Sequence, residues 1–434
     1  MCIRDRRKVA LTALAGTSIE WYDFFLYGAA AALIFPTAFF GEVPPSTALI
    51  LSLLTFAAGF IARPIGGIIF GHFGDKIGRK KTLISALMLM GISSTLIGLL
   101  PTYAMIGVAA PILLTLLRFA QGLAIGGQWG GAMLLVTESA PSNQRGYYGA
   151  FAQAGAPIGV ILANLALIIT SALVSEEFFN TWGWRIPFLA SAVLIVISMY
   201  IQLNLEDTKA FKELAVHKNK QQGDVETVIQ RSPIIEAIRK YPKRIILAAG
   251  AFLSVQVTFY ILIAFLLAYG VQSVNMARDD MLAAVLIASA IMVPMQFVFS
   301  SYSDRHGRRG IFMLGAVLSG LWAFAIFPLV DTGNFLLIVL AISGGLIFLA
   351  MMYGPQAAFF TELFSTEVRY SGATLGYQFG AIIGGAFAPT IAVKLWTELD
   401  IFWVSVYIAF AALLTLLSVM ALTETYQSDL NKTQ

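Results

Sequence analysis

Cysteine, histidine and charged side chains are scarce in this chain of 434 residues. One cysteine, Cys2, excludes a disulfide within the chain, and with only three histidines no cluster has metal-ligand spacing. Only 12% of the residues are charged, whereas 58% are hydrophobic and the mean hydropathy is +0.79. This composition indicates an integral membrane protein with many helices.

Two further absences exclude other classes of protein. The net charge is +4, but the basic residues lie in short connections between apolar runs and form no single stripe, so nucleic acid is not an expected partner. No nucleophile with a neighbouring base lies at a predicted membrane surface, so an enzyme is not expected. We also expect no cofactor and no metal.

Twelve apolar runs, each long enough to cross a bilayer of about 30 Å as a helix, divide the chain. With the N-terminus inside, the outer connections hold only Arg185, Arg278 and Lys394, so the positive-inside rule places both termini in the cytoplasm. The predicted helices are 9–34, 48–70, 82–100, 109–136, 147–173, 186–204, 245–269, 281–302, 311–330, 335–360, 371–393 and 402–422.

Internal repeats divide the chain into two halves. The loop Gly71 to Lys80, after the second helix, recurs as Ser300 to Arg309 after the eighth, at an offset of 229 residues. Parallel halves of this kind are related by an axis along the membrane normal and enclose a site at the midplane. The expected fold is an all-α membrane protein of two pseudo-symmetric six-helix bundles. The predicted units are a bundle at 1–204, a cytoplasmic linker at 205–244, which we expect to be partly helical, and a bundle with a short tail at 245–434.

Two carboxylates interrupt the first apolar run. Glu20 and Asp23 are three residues apart and share one helical face, which Tyr27 continues. Near mid-membrane each acid costs about 2.5 to 3.5 kcal/mol on insertion scales, so this face requires a polar interior, a cation or a bound proton. The pair either marks a proton or substrate path or forms an ion pair that only holds helices together.

Arg63 and Arg118 are the only basic residues inside the predicted helices. A salt bridge to Glu20 or Asp23 is one interpretation of both. We expect Arg63 to bind a substrate anion, since a guanidinium can hold a carboxylate through two hydrogen bonds. Neutral polar groups of the second half would complete the pocket. The predicted substrate-binding residues are Arg63, Tyr27, Gln128, Gln256, Tyr260, Tyr353, Gln356 and Gln378.

The repeated loop motif combines glycine for a tight turn, basic residues for the inner leaflet, and an acid that can accept bonds at a helix N-terminus. It predicts either a latch between helix ends or a turn that only sets topology. Glu138 and Glu362 end helices four and ten, each seven residues before an arginine, and are expected to lock the inner gate. The predicted gating residues are Gly71, Asp75, Gly78, Arg79, Asp304, Arg305, Gly307, Arg308, Glu138, Arg145, Glu362 and Arg369.

Glycines recur every fourth residue in the fourth helix, at Gly122, Gly126 and Gly130, and also at Gly127 and Gly131. Small residues at this spacing let a neighbouring backbone approach closely inside a membrane. We therefore expect these glycines to pack against another helix, and tight packing of this kind could also carry part of a conformational change.

The chain resembles a known family at these positions. The two loop motifs, together with Arg118-x-x-Gln121-Gly122, are similar to the signatures of the major facilitator superfamily. This resemblance implies the major facilitator fold, and we expect a monomer in the bacterial cytoplasmic (inner) membrane. The more specific resemblance is to its metabolite:proton symporters, in the stretches Gly16 to Gly28, Ala62 to Gly67, Trp182 to Phe188 and Pro355 to Gly372.

The family resemblance implies import of a small metabolite with protons by alternating access. Its members chiefly carry carboxylates such as 2-oxoglutarate, shikimate and citrate, so a carboxylate is the expected substrate. A zwitterionic osmolyte such as proline or betaine is the alternative, and a receptor that keeps the fold without transport is a third interpretation.

Proton coupling is expected at Glu20, Asp23 and Arg118, and the motif resemblance implies that Arg118 couples the proton site to motion. Gln128 departs from the family, which usually has glutamate at this position. Because a neutral amide cannot exchange a proton, the coupling role shifts toward Glu20 and Asp23.

Overall fold

The computed structural model describes residues 3–77, 79–126, 133, 136–137, 140–206, 233–365 and 369–426. Most of these residues are helical, and twelve long helical segments match the twelve predicted runs. The segments are α1 (Ile3–Leu33), α2 (Pro45–Ile77), α3 (Arg79–Leu99), α4 (Ala109–Gly126), α5 (Arg145–Leu173), α6 (Ile186–Glu206), α7 (Pro242–Gln272), α8 (Arg278–His306), α9 (Arg308–Val330), α10 (Phe335–Glu362), α11 (Arg369–Glu398) and α12 (Phe402–Ala421).

Nine helices in the described residues are long and apolar enough to cross a membrane by composition. The other three are α1, which carries the two acids, and α3 and α6, whose apolar portions are shorter. The prediction for the fourth helix extends to residue 136, but the continuous described helix ends at Gly126. The linker contains a short amphipathic helix, Pro233–Lys240, as expected for a partly helical connection.

The two halves pack in the same way. In the first half α1 contacts α5, α2 contacts α4, and α3 contacts α6. In the second half the equivalent pairs, six helices later, are α7 with α11, α8 with α10, and α9 with α12. The repeat in the sequence is therefore a repeat of six-helix bundles.

Among the described residues, the most extensive contacts between the halves are those of α5 with α8, α5 with α10, α2 with α11, and α1 with α7. The pairs α5–α8 and α2–α11 are exchanged by the internal repeat, so the halves meet around an approximate twofold axis. Residues that face this axis lie between the two halves.

Glycines allow α2 and α4 to cross at backbone contact. A Cβ atom on Gly122 would overlap the carbonyl of Gly59, and one on Gly126 would overlap the carbonyl of Arg63. The predicted packing role is thus seen for Gly122 and Gly126, whereas Gly127, Gly130 and Gly131 lie outside the described residues. This crossing directs the side chains of both buried arginines into the first bundle.

Candidate functional site

A small cavity lies between the halves. Helices α1 and α5 line it from the first half, and α7, α10 and α11 line it from the second. No acidic side chain is among its described lining residues. The lining residues are Trp21, Phe25, Ala156, Phe252, Val255, Gln256, Phe259, Tyr260, Leu349, Tyr353 and Tyr377.

Three of the predicted substrate-binding residues, Gln256, Tyr260 and Tyr353, line this cavity. Gln356 and Gln378 are buried away from it, and Gln128 lies outside the described residues. Their roles in binding stay predictions.

Tyr27 does not line the cavity, because its hydroxyl is 2.6 Å from Thr55 Oγ1 inside the first bundle. The reason is the rotation of α1: Trp21 and Phe25, four residues apart, face the cavity, and Asp23 and Tyr27 face the other helices of the bundle. The acidic face and the cavity face of α1 are therefore different faces.

Five aromatic residues that line the cavity were not among the predicted binding residues: Trp21, Phe25, Phe252, Phe259 and Tyr377. The backbone of Trp21 abuts Gly159 of α5, and its ring stacks on Phe25 with 5.1 Å between centroids. Tyr353 and Tyr377 both line the cavity and are buried. The spacing of Trp21 and Phe25, opposite the acids on one helix, was the available signal.

Two π-helical segments flank the cavity where α7 and α11 meet. Ile261–Phe265 directly follows Tyr260 in α7, and Ala381–Ala386 interrupts α11. Gly385 in the second segment lies against the rings of Tyr260 and Phe60, where a Cβ would come within 3.0 Å of each. Such irregular turns occur often at functional sites, because they redirect side chains without breaking a helix.

Arg63 lies beside the cavity with unused donors. Its side chain is 1% exposed, and its Cζ is 4.3 Å from the Phe24 ring centroid and 5.3 Å from that of Trp21. The Tyr260 hydroxyl faces the guanidinium. Among the described residues, Arg63 Nε and Nη2 have no hydrogen-bond partner. This arrangement can receive an anion that approaches from the cavity.

Arg118 and Asp23 are both buried, but they form no ion pair with each other or with Arg63 in the described part of the chain. Arg118 Cζ lies 4.1 Å from the Phe24 centroid and 4.3 Å from that of Tyr27. The interpretation of a salt bridge to Asp23 is wrong for this conformation, because aromatic rings fill the space around the guanidinium. Glu20 is partly buried one turn before Asp23.

The cytoplasmic ends of the two halves are joined through Asp304. Its carboxylate accepts hydrogen bonds from the backbone nitrogens of Gly146 and Tyr147, each at 2.8 Å, in the first turn of α5. Arg308 donates to Asp304 over 2.7 Å and lies 3.2 Å from Glu362. An acid at a helix N-terminus, expected from the loop motif, is thus present between the halves.

Glu362 lies 3.7 Å from Arg145 of the other half, a pairing that the sequence did not indicate. Arg305 is exposed and contributes nothing to this network. Gly307 adopts φ of +98°, a conformation that favours glycine. Of the other predicted gating residues, Gly78 and Glu138 lie outside the described residues. For Gly71, Asp75, Arg79 and Arg369 only the helical backbone is described.

The outer ends of the halves are joined through Arg278 of α8. Its Nη1 donates to Asn180 Oδ1 over 3.2 Å, and its Nη2 donates to Ser171 Oγ over 2.9 Å. The guanidinium also lies 4.0 Å from the ring centroid of Phe179. The halves therefore touch at both membrane faces in this conformation.

Comparisons with known proteins agree with this architecture. The chain is 40% identical over 436 residues to the inner membrane metabolite transport protein YhjE of Escherichia coli, covering 99% of this chain and 96% of that protein. It is 36% identical to the shikimate transporter of E. coli, covering 97% and 95%. It is 34% identical to the proline/betaine transporter of Salmonella typhimurium, covering 96% and 84%.

The fold is similar to that of the xylose transporter XylE from E. coli in a partially occluded inward open conformation, with a TM-score of 0.70 at 17% identity, covering 97% of this chain and 98% of that one. The family model of the Major Facilitator Superfamily matches residues 13–375. The two six-helix bundles enclose a central cavity, and the similarity to these relatives extends along nearly the whole chain. The chain belongs to the major facilitator superfamily, as a multi-pass small-molecule transporter of the bacterial inner membrane and not an enzyme.

Proposed function

We propose that this protein is a proton-coupled symporter that imports a small carboxylate metabolite by alternating access. Arg63 is the observation that carries the proposal, because it is a buried cation beside the cavity, and two of its nitrogens have no hydrogen-bond partner among the described residues. A buried charge without a partner costs several kcal/mol, and a bound anion offsets that cost. A carboxylate also matches the planar guanidinium through two parallel hydrogen bonds.

Asp23 is the proposed proton site, with Glu20 and Arg118 as its coupling partners. Asp23 is 2% exposed, and its Oδ2 atom has no hydrogen-bond partner among the described residues. A proton can therefore bind at Oδ2 without displacing a bond. The proton is the only coupling ion we propose, and the working unit is one chain in the bilayer.

A zwitterionic osmolyte such as proline or betaine is the second candidate substrate. Seven aromatic side chains line the cavity, and aromatic faces attract quaternary ammonium groups. A betaine would place its ammonium group on these rings and its carboxylate on Arg63. Arg63 is therefore compatible with both classes, and the aromatic lining is the observation in favour of this second candidate.

Uptake into proteoliposomes separates the candidates. Labelled shikimate, 2-oxoglutarate, citrate, proline and betaine are supplied outside with an inward proton gradient, with and without a protonophore. Accumulation of a carboxylate that the protonophore abolishes supports the proposal. Accumulation of proline or betaine alone would show that the substrate is a zwitterion and not a carboxylate. Accumulation that survives the protonophore would show that transport is not coupled to protons.

A further inference from the structure

A chain of hydrogen bonds inside the first bundle leads from Arg118 to the side of Asp23. Arg118 Nη1 donates to Gln121 Oε1 over 3.1 Å, and Gln121 Nε2 donates to Ser94 Oγ over 2.7 Å. The Ser94 hydroxyl lies beside the Asp23 carboxylate. The donors of Arg118 and Gln121 therefore both point from the cation toward the anion.

The two oxygens of Asp23 have different surroundings. Ser191 of α6 donates its hydroxyl to Oδ1, whereas Oδ2 is buried and unpartnered among the described residues. Ser191 can hold Oδ1 in both protonation states, since a proton at Oδ2 does not compete for the same atom. The carboxyl group thus stays in place while its charge changes.

We propose that Gln121 is a positioning residue that couples proton binding at Asp23 to the Arg118 guanidinium, with Ser94 as the link. Hydrogen bonds in a chain polarise one another, so losing the negative charge at one end weakens each bond along it. Gln121 then releases Arg118 Nη1, while Nε and Nη2 of the same guanidinium have no hydrogen-bond partner among the described residues. The freed cation can move within its aromatic surroundings.

The titratable groups around Asp23 are few in the part of the chain that the structure describes. Its own helix contributes Glu20, Tyr22 and Tyr27, and the neighbouring helices contribute Arg118 from α4 and Arg63 from α2. Helices α3 and α6 present only serine hydroxyls to the carboxylate. Gln121 is thus the first residue that Arg118 meets on the hydrogen-bonded route toward Asp23.

The test compares Gln121→Leu with Gln296→Leu, a matched control. Gln296 is 0% exposed, and neither of its amide atoms has a hydrogen-bond partner among the described residues, so the same substitution removes no described bond there. Two assays are run in proteoliposomes. The substrate is whichever of shikimate, 2-oxoglutarate, citrate, proline and betaine the wild type accumulates. One assay measures substrate exchange with the same pH on both sides of the membrane. The other measures accumulation driven by an inward proton gradient, as a profile over pH 5 to 8.

This inference rests on the proposed function, since it assumes a proton-coupled carrier. For Gln121→Leu we expect exchange within about threefold of wild type, accumulation reduced by about tenfold or more, and a flattened pH profile, in the range typical of coupling between sites. The control should retain both activities and the wild-type pH profile. Where Gln121→Leu does not fold, Ser94→Ala cuts the same chain at its next link and should show the same separation.

A wild-type pH profile in Gln121→Leu, or a parallel loss of exchange and accumulation with normal folding, overturns the inference and leaves the proposed function standing. If the wild type itself accumulates none of the five compounds in a proton-dependent way, the proposed function fails and this inference with it.

Discussion

Asp304 Oδ1 lies 2.8 Å from the backbone nitrogen of Gly146, so a carboxylate of the second half closes the N-terminus of a helix in the first. The first turn of a helix has free N–H groups and a partial positive charge, and an anion there is stabilised. Because the contact crosses between the halves, it can exist only while their cytoplasmic ends are together.

Asp304→Asn should shift the protein toward the state that is open to the cytoplasm. Hydrogen bonds to a charged group contribute about 1.5 to 3 kcal/mol each, so we expect at least about a tenfold increase in labelling of a buried cysteine behind the gate. Ala357→Cys provides that reporter in a Cys2→Ser background, since Ala357 is 0% exposed and faces α5. Asp280→Asn is the control, because Asp280 is exposed on the same helix. Equal labelling in both variants would contradict the latch.

Arg63→Gln should raise the KM for the transported substrate by about tenfold or more, because a charge-assisted hydrogen bond of about 1.5 to 3 kcal/mol is lost. Arg63→Lys should give an intermediate KM, since lysine keeps the charge but lacks the planar fork. The measurement is initial uptake rate against concentration. Lys394→Gln, at an exposed position, is the control. An unchanged KM in Arg63→Gln would show that Arg63 does not bind the substrate.

Arg278→Gln should open the outer face more often. The substitution removes the bonds to Asn180 and Ser171, worth about 1 kcal/mol each at a partly exposed site. We expect labelling of Leu167→Cys by an external impermeant reagent to increase by about fivefold or more, as two such bonds imply. Lys394→Gln again serves as the outer-face control. The same increase in labelling in Lys394→Gln would show that the bonds of Arg278 do not hold the outer face closed.

Glu424 links the tail to the start of α9, and its stabilising effect should depend on pH. Burial opposes ionisation, but backbone N–H groups including those of Arg308 and Arg309, at 2.9 and 3.0 Å, hold its pKa below the ordinary 4.5. The ionised form is favoured in the folded state, so the stabilisation is present above pH 4.5 and is lost as pH falls through the lowered pKa.

Glu424→Gln should therefore lower the Tm in detergent at pH 7 and leave it unchanged near the acid limit. The effect is under about 1 kcal/mol, because the carboxylate is half exposed and screened by solvent. Glu398→Gln, at an exposed i,i+4 pair with Lys394, is the control. A Tm difference for Glu424→Gln that is constant with pH would contradict the capping role.

Gly66→Ala should destabilise the first bundle, because a Cβ there would overlap the carbonyl group of Leu123 at the α2–α4 crossing. Forcing the helices apart costs about 1 to 3 kcal/mol, which a lower Tm and reduced yield would report. Gly310→Ala is the matched control, since its Cβ would meet nothing within 4 Å. There the better helix propensity should stabilise slightly, by about 0.5 to 1 kcal/mol. Equal stability of the two variants would contradict the close crossing.

The sequence by itself determined the class, the twelve helices and the twofold repeat. Long apolar runs can satisfy their backbone in lipid only as helices, so element type and number follow from composition and length alone. The glycines at Gly122 and Gly126 also indicated a close crossing before any partner was known, because spacing along one helix is a local property.

Only the tertiary structure decided which face of α1 meets the cavity and which residues the buried charges meet. Periodicity places Asp23 and Trp21 on different faces, but the neighbours of each face depend on packing between helices far apart in sequence. The bond from Ser191 to Asp23 and the approach of Arg145 to Glu362 join residues more than 150 positions apart. Such contacts are selected by the assembled bundles as a whole, and no local pattern in the chain encodes them.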